Sequence, residues 1–295
     1  MKQSDQTYII TPDNKILKDM LMDGGPKLSV EIMPNEARVA DKLLVLSSCW
    51  GGNFYHWLTW VVPRICMIEK AGYNLKDFDK IAINYLGFGF QRELLELLGI
   101  PKYKIIGTNP YGSVLRAKTL VTASLPNNLH TPKIVTDSLR EKFLKPECID
   151  ESMPKKIYLS RNKSASRFVL NEDEIYLYLQ KLGFTIIYAE DYTFVEQVKI
   201  FANADVIISQ HGAGLTNLSF CKPNTKVIEI YNEYMKNFLD TGFFRICDNV
   251  KLDHYFMFGE PVGKGEFSNI HIDIQKLAKT IELAGIDSKS FAHSE

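Results

Sequence analysis

The sequence carries no excess charge: Lys+Arg and Asp+Glu both number 35 in 295 residues. A balanced chain has no overall field to gather a polyanion, so nucleic acid is not an expected partner and any anion site must be local. No apolar run approaches the ~20 residues that span a bilayer, so no integral membrane segment is expected. The opening residues, MKQSDQTYIITPDNK, lack the basic and then apolar stretches of a secretory signal. Cysteine is sparse: Cys49, Cys66, Cys148, Cys221 and Cys247 form no CxxC and are odd in number. That argues against a disulfide framework or zinc knuckle, and the expectation is reduced thiols in a cytoplasmic protein. GxGxxG and a glycine loop ending in Lys-Ser/Thr are both missing, which disfavours a dinucleotide oxidoreductase and a P-loop enzyme. Asp77-Phe78-Asp79 has the letters of a metal-binding DxD, but it precedes an expected strand and reads as a turn. No metal and no cofactor are expected.

What is present is an alternation of short apolar strands with helical patterns, which points to an α/β protein with parallel sheets. Expected strands are 43–47, 79–84, 104–106 and 119–122 in the first half, with helices over 53–71, 91–98 and 133–144. Pro63 should kink or shorten the first of these helices. Residues 125–131 read as a loop. In the second half, expected strands at 157–160, 184–188, 205–209 and 226–230 alternate with helices, a Rossmann-like order. Asn171 with Glu174 and Thr193 with Glu196 are placed as capping boxes. Asp273 caps a last helix that Gly285 stops. Length suggests two domains: 1–148 and 149–270, with a helix and tail over 271–295.

Three segments carry chemistry. SQHGAGLTN (209–217) leaves an apolar strand, and ligands of open α/β sheets bind beyond such strand ends. Gly212 and Gly214 would let backbone N–H groups approach an anion, and a helix starting near Leu215 would aim its positive end there. Thr216 and Asn217 would add donors. The same glycines also suit a plain strand-to-helix turn. Upstream, KKIYLSRNKSASRFVL has five cations and no acid. Arg161 and Arg167 fall in one strand-to-helix connection, and guanidinium groups suit phosphate; a solvated basic loop is the alternative. In the first half, SCWGGNFYHWLTWVVPR sets Gly51, Gly52, Asn53 and His56 at a strand end. His56 can serve as a base near neutral pH, or pack beside Trp57 and Trp60.

NFYHWLTWVVPR, IYLSRNKSASR with NEDE, and EQVKIFANADVIISQHGAGLTNLSFCKPNTKVIEI together resemble glycosyltransferase family 61 over roughly 50–230. The resemblance implies a GT-B enzyme: two Rossmann-like domains, inverting, with a nucleotide-sugar donor, commonly UDP-linked, usually without an essential metal. It implies that Arg161 and Arg167 bind the diphosphate and that His211, Gly212, Ala213, Gly214, Leu215, Thr216 and Asn217 form the loop beneath it. Glu229 would take ribose hydroxyls or play a strand-end role. Asn53 and His56 match the acceptor-side motif, with His56 the chosen base. Trp60 stands where relatives often have an acid, and stacking on a sugar is one use for it. Glu190 and Asp191 are the other candidate acids. The sugar implied is xylose or N-acetylglucosamine, transferred to a glycan hydroxyl. The rival reading is a degenerate scaffold that binds a nucleotide sugar or glycan without turnover.

Overall fold

The computed structural model describes residues 8–17, 36–48, 50–108, 114–124, 130–164, 166–239 and 241–286. The chain divides into two units, Met1–Lys142 and Phe143–Glu295.

In the first unit, strands β1 (Glu36–Val45), β2 (Lys80–Ile83), β3 (Ile105–Gly107) and β4 (Val114–Thr122) form one sheet in the order β3-β2-β1-β4. Every pairing in it is parallel. Leu43, Leu44, Val45 and Leu46 are all buried. A continuous apolar run of this kind is what a parallel strand covered on both faces requires. Helices α1 (Phe54–His56), α2 (Val62–Lys70), α3 (Gly89–Leu97) and α4 (Lys133–Phe143) complete the unit. Between α1 and α2, Trp57–Val61 forms a π-helical turn. Pro63 cannot donate an amide hydrogen and would break an α-helix at this point. The wide turn changes register so that Pro63 falls in the first turn of α2, where no donor is needed. The DxD acids are turn residues: Asp77 Oδ2 accepts from Asn74 N (2.9 Å) and Asp79 Oδ2 from Lys42 N (2.8 Å).

In the second unit, β5 (Lys156–Ser160), α5 (Glu172–Gln180), β6 (Thr185–Tyr188), α6 (Phe194–Asn203), β7 (Val206–Gln210), β8 (Lys226–Asn232), α7 (Phe243–Val250), β9 (Asp253–Val262), β10 (Asn269–His271) and α8 (Ile274–Leu283) follow in order. The sheet runs β10-β9-β8-β7-β5-β6, parallel except for β10 on β9. Its order reverses between β5 and β7, and that switch point is where doubly wound sheets bind ligands. Tyr158, Ile175, Leu179, Ile208, Ile228, Leu277 and Ile281 share one core. Helix α8 therefore belongs to this unit, although the sequence set 271–295 apart.

Several local expectations change. Thr193 and Glu196 do form a capping box, and Asp273 does cap α8. Asn171 caps nothing with its side chain. It instead grips residue 272, donating to the Ile272 carbonyl (2.8 Å) and accepting from Ile272 N (3.0 Å). The helix after the glycine loop is a 3-10 helix, Ala213–Phe220, rather than an α-helix from Leu215. Cys66, Cys148, Cys221 and Cys247 are buried and in no disulfide, and Cys49 lies outside the described residues. So does most of the expected loop 125–131. Among the described residues, no helix is long and apolar enough to cross a membrane.

Candidate functional site

The segment after β5 does not turn straight into α5. It runs along the carboxyl edge of the sheet to β10. Phe168 N donates to Asn269 Oδ1 (2.9 Å), and the backbones of Phe168, Leu170 and Ile270 bond to one another at 2.9 Å. Because β10 starts where β9 ends, Arg161 and Arg167 are held across the edge where the sheet presents its strand ends.

Arg161 lies directly over Gly212. A Cβ on Gly212 would overlap its guanidinium, and one on Gly214 would stand 3.1 Å from Leu159 Cδ2. Neither glycine is in the left-handed region, Gly212 being extended with φ 178. Their hydrogen side chains therefore make room for Arg161 and Leu159, and backbone conformation is not the reason for them. Arg161 has one weak bond, Nη2 to the Ser166 carbonyl at 3.4 Å, and its Nε is buried without a partner. Burial, and then the Arg167 charge, push its pKa down to about 10. Arg167 adopts φ 62, and its Nε is also buried and unpartnered. Burial lowers its pKa as well, while the Glu266 and Glu229 charges oppose the shift. Among the described residues neither guanidinium has a carboxylate at ion-pair distance. Two cations that repel each other, partly buried and, among the described residues, without a carboxylate partner, fit an anion placed between them. A small cavity at the β5/β7 switch point is lined by Ser160, Arg161, Glu190, Gln210, Gly212 and Gly214.

His211 follows β7 and packs by Tyr231 and Phe243, with ring centroids 5.1 and 5.0 Å away. Its Nδ1 bonds Glu229 Oε1 at 2.6 Å, and His254 Nε2 bonds Glu229 Oε2 at 2.9 Å. Glu229 has no exposed surface. Burial would raise its pKa, but the bonds and charges of the two histidines outweigh burial and hold it at about 2. Both carboxylate oxygens are thus engaged, which leaves Glu229 unsuited to ribose hydroxyls. The two imidazoles meet different oxygens of Glu229, and among the described residues no His, Cys, Asp or Glu cluster gathers around a metal position.

Thr216 and Asn217 are also placed otherwise than the sequence suggested. Both are fully buried. Thr216 donates to the Ala213 carbonyl (2.6 Å) and Asn217 Nδ2 to Gln197 Oε1 (2.8 Å). Thr216 thus holds the loop together, and Asn217 ties it to α6. Leu215 is buried too, while Ala213 is partly open. Asp191 is paired with Lys163, and Glu190 lies near enough to Arg161 to bias its charge.

In the first unit, Asn53 caps α1 by accepting from Tyr55 N (2.9 Å). A Cβ on Gly51 would overlap the Asn84 side chain, which holds Ser48 N at 2.8 Å. His56 is partly buried, and its ring lies 4.2 Å from that of Trp60 and 5.5 Å from that of Trp50. Trp60 is 0% exposed and cannot stack on a sugar, whereas Trp50 is 53% exposed beside it. His56 Nδ1 is buried without a partner, and burial lowers its pKa to about 4. The ring is therefore neutral at pH 7, but no carboxylate orients it and its low basicity makes it a weak base. The fold favours the neutral form, so this stability is present above pH 6.5 and is lost as pH falls through 4. His56→Asn should flatten the acid limb of a denaturation series by up to about 3 kcal/mol. An acid limb identical to that of the wild type would show that the imidazolium is tolerated there.

A family model described as Glycosyltransferase 61 matches residues 54–228, more than half of the chain. A rice (Oryza sativa subsp. japonica) β-1,2-xylosyltransferase is 23% identical over 256 residues, 77% of this chain and 44% of the relative. The EGF domain-specific O-linked N-acetylglucosamine transferase of Drosophila melanogaster is 40% identical over 78 residues, 25% of this chain and 15% of the relative. Its Gallus gallus counterpart is 35% identical over 163 residues, 54% and 28% respectively. The chain spans less than half the length of each of these relatives. The family match takes in His56, both arginines and the whole glycine loop, and on that basis the chain belongs to the glycosyltransferase 61 family.

Proposed function

We propose that this protein is an inverting glycosyltransferase of the GT-B type that transfers a sugar from a UDP-linked donor to a glycan hydroxyl. The donor diphosphate is assigned to the carboxyl edge of the second unit. The observation that carries this reading is the pair Arg161 and Arg167, held without a carboxylate partner at the switch point. As the bond to the anomeric carbon breaks, the departing diphosphate gains negative charge. Two fixed guanidinium groups there supply electrostatic stabilisation at the place where charge develops, so a metal is not required for that step. The names of the relatives favour xylose or N-acetylglucosamine as the transferred sugar. His56, with Asn53 fixing its helix, is the acceptor-side base in this reading.

The low basicity of His56 and the burial of Trp60 favour one competing reading, a protein that binds the donor but transfers nothing. A thermal-shift series with UDP, GDP, CMP and ADP and their sugars, each with and without EDTA, tests the donor assignment. UDP and its sugars should raise the melting temperature, and EDTA should not abolish the rise. No shift with any nucleotide would remove the donor assignment. A UDP shift without release of UDP from UDP-xylose or UDP-N-acetylglucosamine would support the non-catalytic reading.

A further inference from the structure

Three side chains from neighbouring strands form a line at the edge of the candidate donor site. His254 lies on β9, Glu229 on β8, and His211 just past the end of β7. Glu229 pairs with Ser209 in the β7/β8 register, and His254 with Val227 in the β8/β9 register. The sheet thus sets all three positions. The two contacts, 2.6 and 2.9 Å, are short enough to be charge-assisted bonds.

The chemistry of the central group fixes the direction of both bonds. A carboxylate with no exposed surface, kept ionised by its partners, can only accept. His211 must therefore donate from Nδ1, and His254 from Nε2. The nitrogen left over on His211 is Nε2, and among the described residues no hydrogen bond occupies it. The His211 side chain is 16% exposed, and the next residue is Gly212, over which Arg161 lies. His254 is 5% exposed and itself touches nothing of the arginine pair that the hydrogen bonds record. Its value is indirect. With His211 alone, the Glu229 carboxylate could rotate about its last bond, and its second oxygen would lose its imidazole donor while buried, a costly state. A second donor on the far oxygen fixes the carboxylate plane, and the carboxylate fixes the imidazole. This is how an outer partner holds the tautomer and orientation of a working histidine. The family match ends at residue 228, so neither Glu229 nor His254 lies within it.

We propose that Glu229 and His254 are positioning residues which hold His211 with Nδ1 as the donor to the carboxylate, so that Nε2 is the nitrogen offered to the diphosphate of the nucleotide-sugar donor. The inference rests on the donor site of the proposed function. In it, His211 is doubly protonated while the anion is bound: Nε2–H donates to a diphosphate oxygen beside Arg161 and Arg167, and Glu229, accepting from Nδ1–H, is its internal counter-charge.

Calorimetric titration of the full chain with UDP, in EDTA, provides the test. His211→Phe should weaken UDP binding about tenfold, the size of one charge-assisted hydrogen bond. His254→Phe, which keeps the bulk and removes the donor, should weaken it severalfold. His254→Gln, whose side-chain amide can reach the same carboxylate oxygen, should bind within about twofold of wild type. The double variant His211→Phe/His254→Phe should bind no worse than His211→Phe, because His254 acts only through His211. Wild-type affinity in His254→Phe would overturn the proposal, as would equal losses in His254→Phe and His254→Gln or an additive double variant. If His254→Phe does not fold, Glu229→Gln replaces it. The amide keeps one acceptor and turns an N–H toward the other histidine, so UDP binding should weaken, and unchanged binding would again overturn the proposal. A wild type that does not bind UDP would remove the donor site itself, and this inference with it.

Discussion

Replacing Arg161 with alanine should lower turnover about 100-fold, the scale seen when one preorganised donor to a developing negative charge is lost. The expectation follows from how the side chain is held. Arg161 has a single 3.4 Å bond to a carbonyl, no ion pair among the described residues, and Arg167 as a like-charged neighbour. Most of its bonding capacity is therefore left for an incoming anion. Removal should cost the fold little or even relieve repulsion, so the melting temperature should hold or rise while kcat/KM falls. Arg161→Lys should recover only part of the activity, because a point charge cannot present the planar fork of a guanidinium. Gly212→Ala should mimic the loss, since the added methyl would occupy the place of the guanidinium. Combined with Arg161→Ala it should add little, as both act on one group. Wild-type turnover in Arg161→Ala would remove the diphosphate from this edge of the sheet. A lowered melting temperature together with lost activity would instead mark Arg161 as structural.

The parts legible in the sequence are those where local pattern and tertiary role agree. Ile207 and Ile208 sit in a strand buried on both faces and read as one continuous apolar run. Thr193 and Glu196 cap a helix using bonds made within four residues, which the sequence displays directly. The arginine segment and the glycine loop were legible as two pieces, and their joining on one edge followed from strand order. Where the sequence misled, long-range partners decided. Asn171 looks like a cap, but its amide has a better match in the Ile272 backbone, one hundred and one residues away. Thr216 and Asn217 look like donors for a ligand, yet the packing of the 3-10 helix turns both inward. His254 was missed altogether. Strand β9, DHYFMFGEPV, alternates irregularly between buried and exposed and carries a glycine and a proline, so neither a clean period nor an apolar run marks it. Trp60 was legible as an aromatic in a motif, but its complete burial depends on the π turn that Pro63 brings about, and no local rule announces that turn.

Arg64→Leu should unfold the first unit at lower denaturant, with a loss of about 2–6 kcal/mol, the cost of leaving two or so buried carbonyls without their donor. Arg64 is fully buried, and burial lowers its pKa to about 9, so it remains charged at neutral pH. Among the described residues no carboxylate meets it. Its five bonds go from Nε to the Ala123 carbonyl (2.9 Å), from Nη1 to the carbonyls of Leu46 (2.8 Å) and Ser47 (3.3 Å), and from Nη2 to the Val45 carbonyl (2.7 Å) and Thr122 Oγ1 (2.8 Å). Those acceptors lie at the carboxyl ends of β1 and β4, which pair at Val45 and Thr122. The guanidinium thus ties two strand ends together from helix α2 and gives donors to carbonyls that the sheet ladder no longer serves. Leucine would remove the desolvation cost of the charge, but it would take the donor from the Leu46 and Ser47 carbonyls at about 1–3 kcal/mol each, while the Val45 carbonyl keeps its bond from Thr122 Oγ1 (2.8 Å), and the second effect is larger. Arg64→Lys should fall between the two, since one ammonium cannot reach both strands. Because β1 feeds directly into Gly51, Gly52 and Asn53, the same variant should loosen the cap of α1 and the setting of His56. Urea denaturation followed by circular dichroism is the check, and a midpoint equal to that of the wild type would mean that water replaces the guanidinium at those carbonyls without penalty.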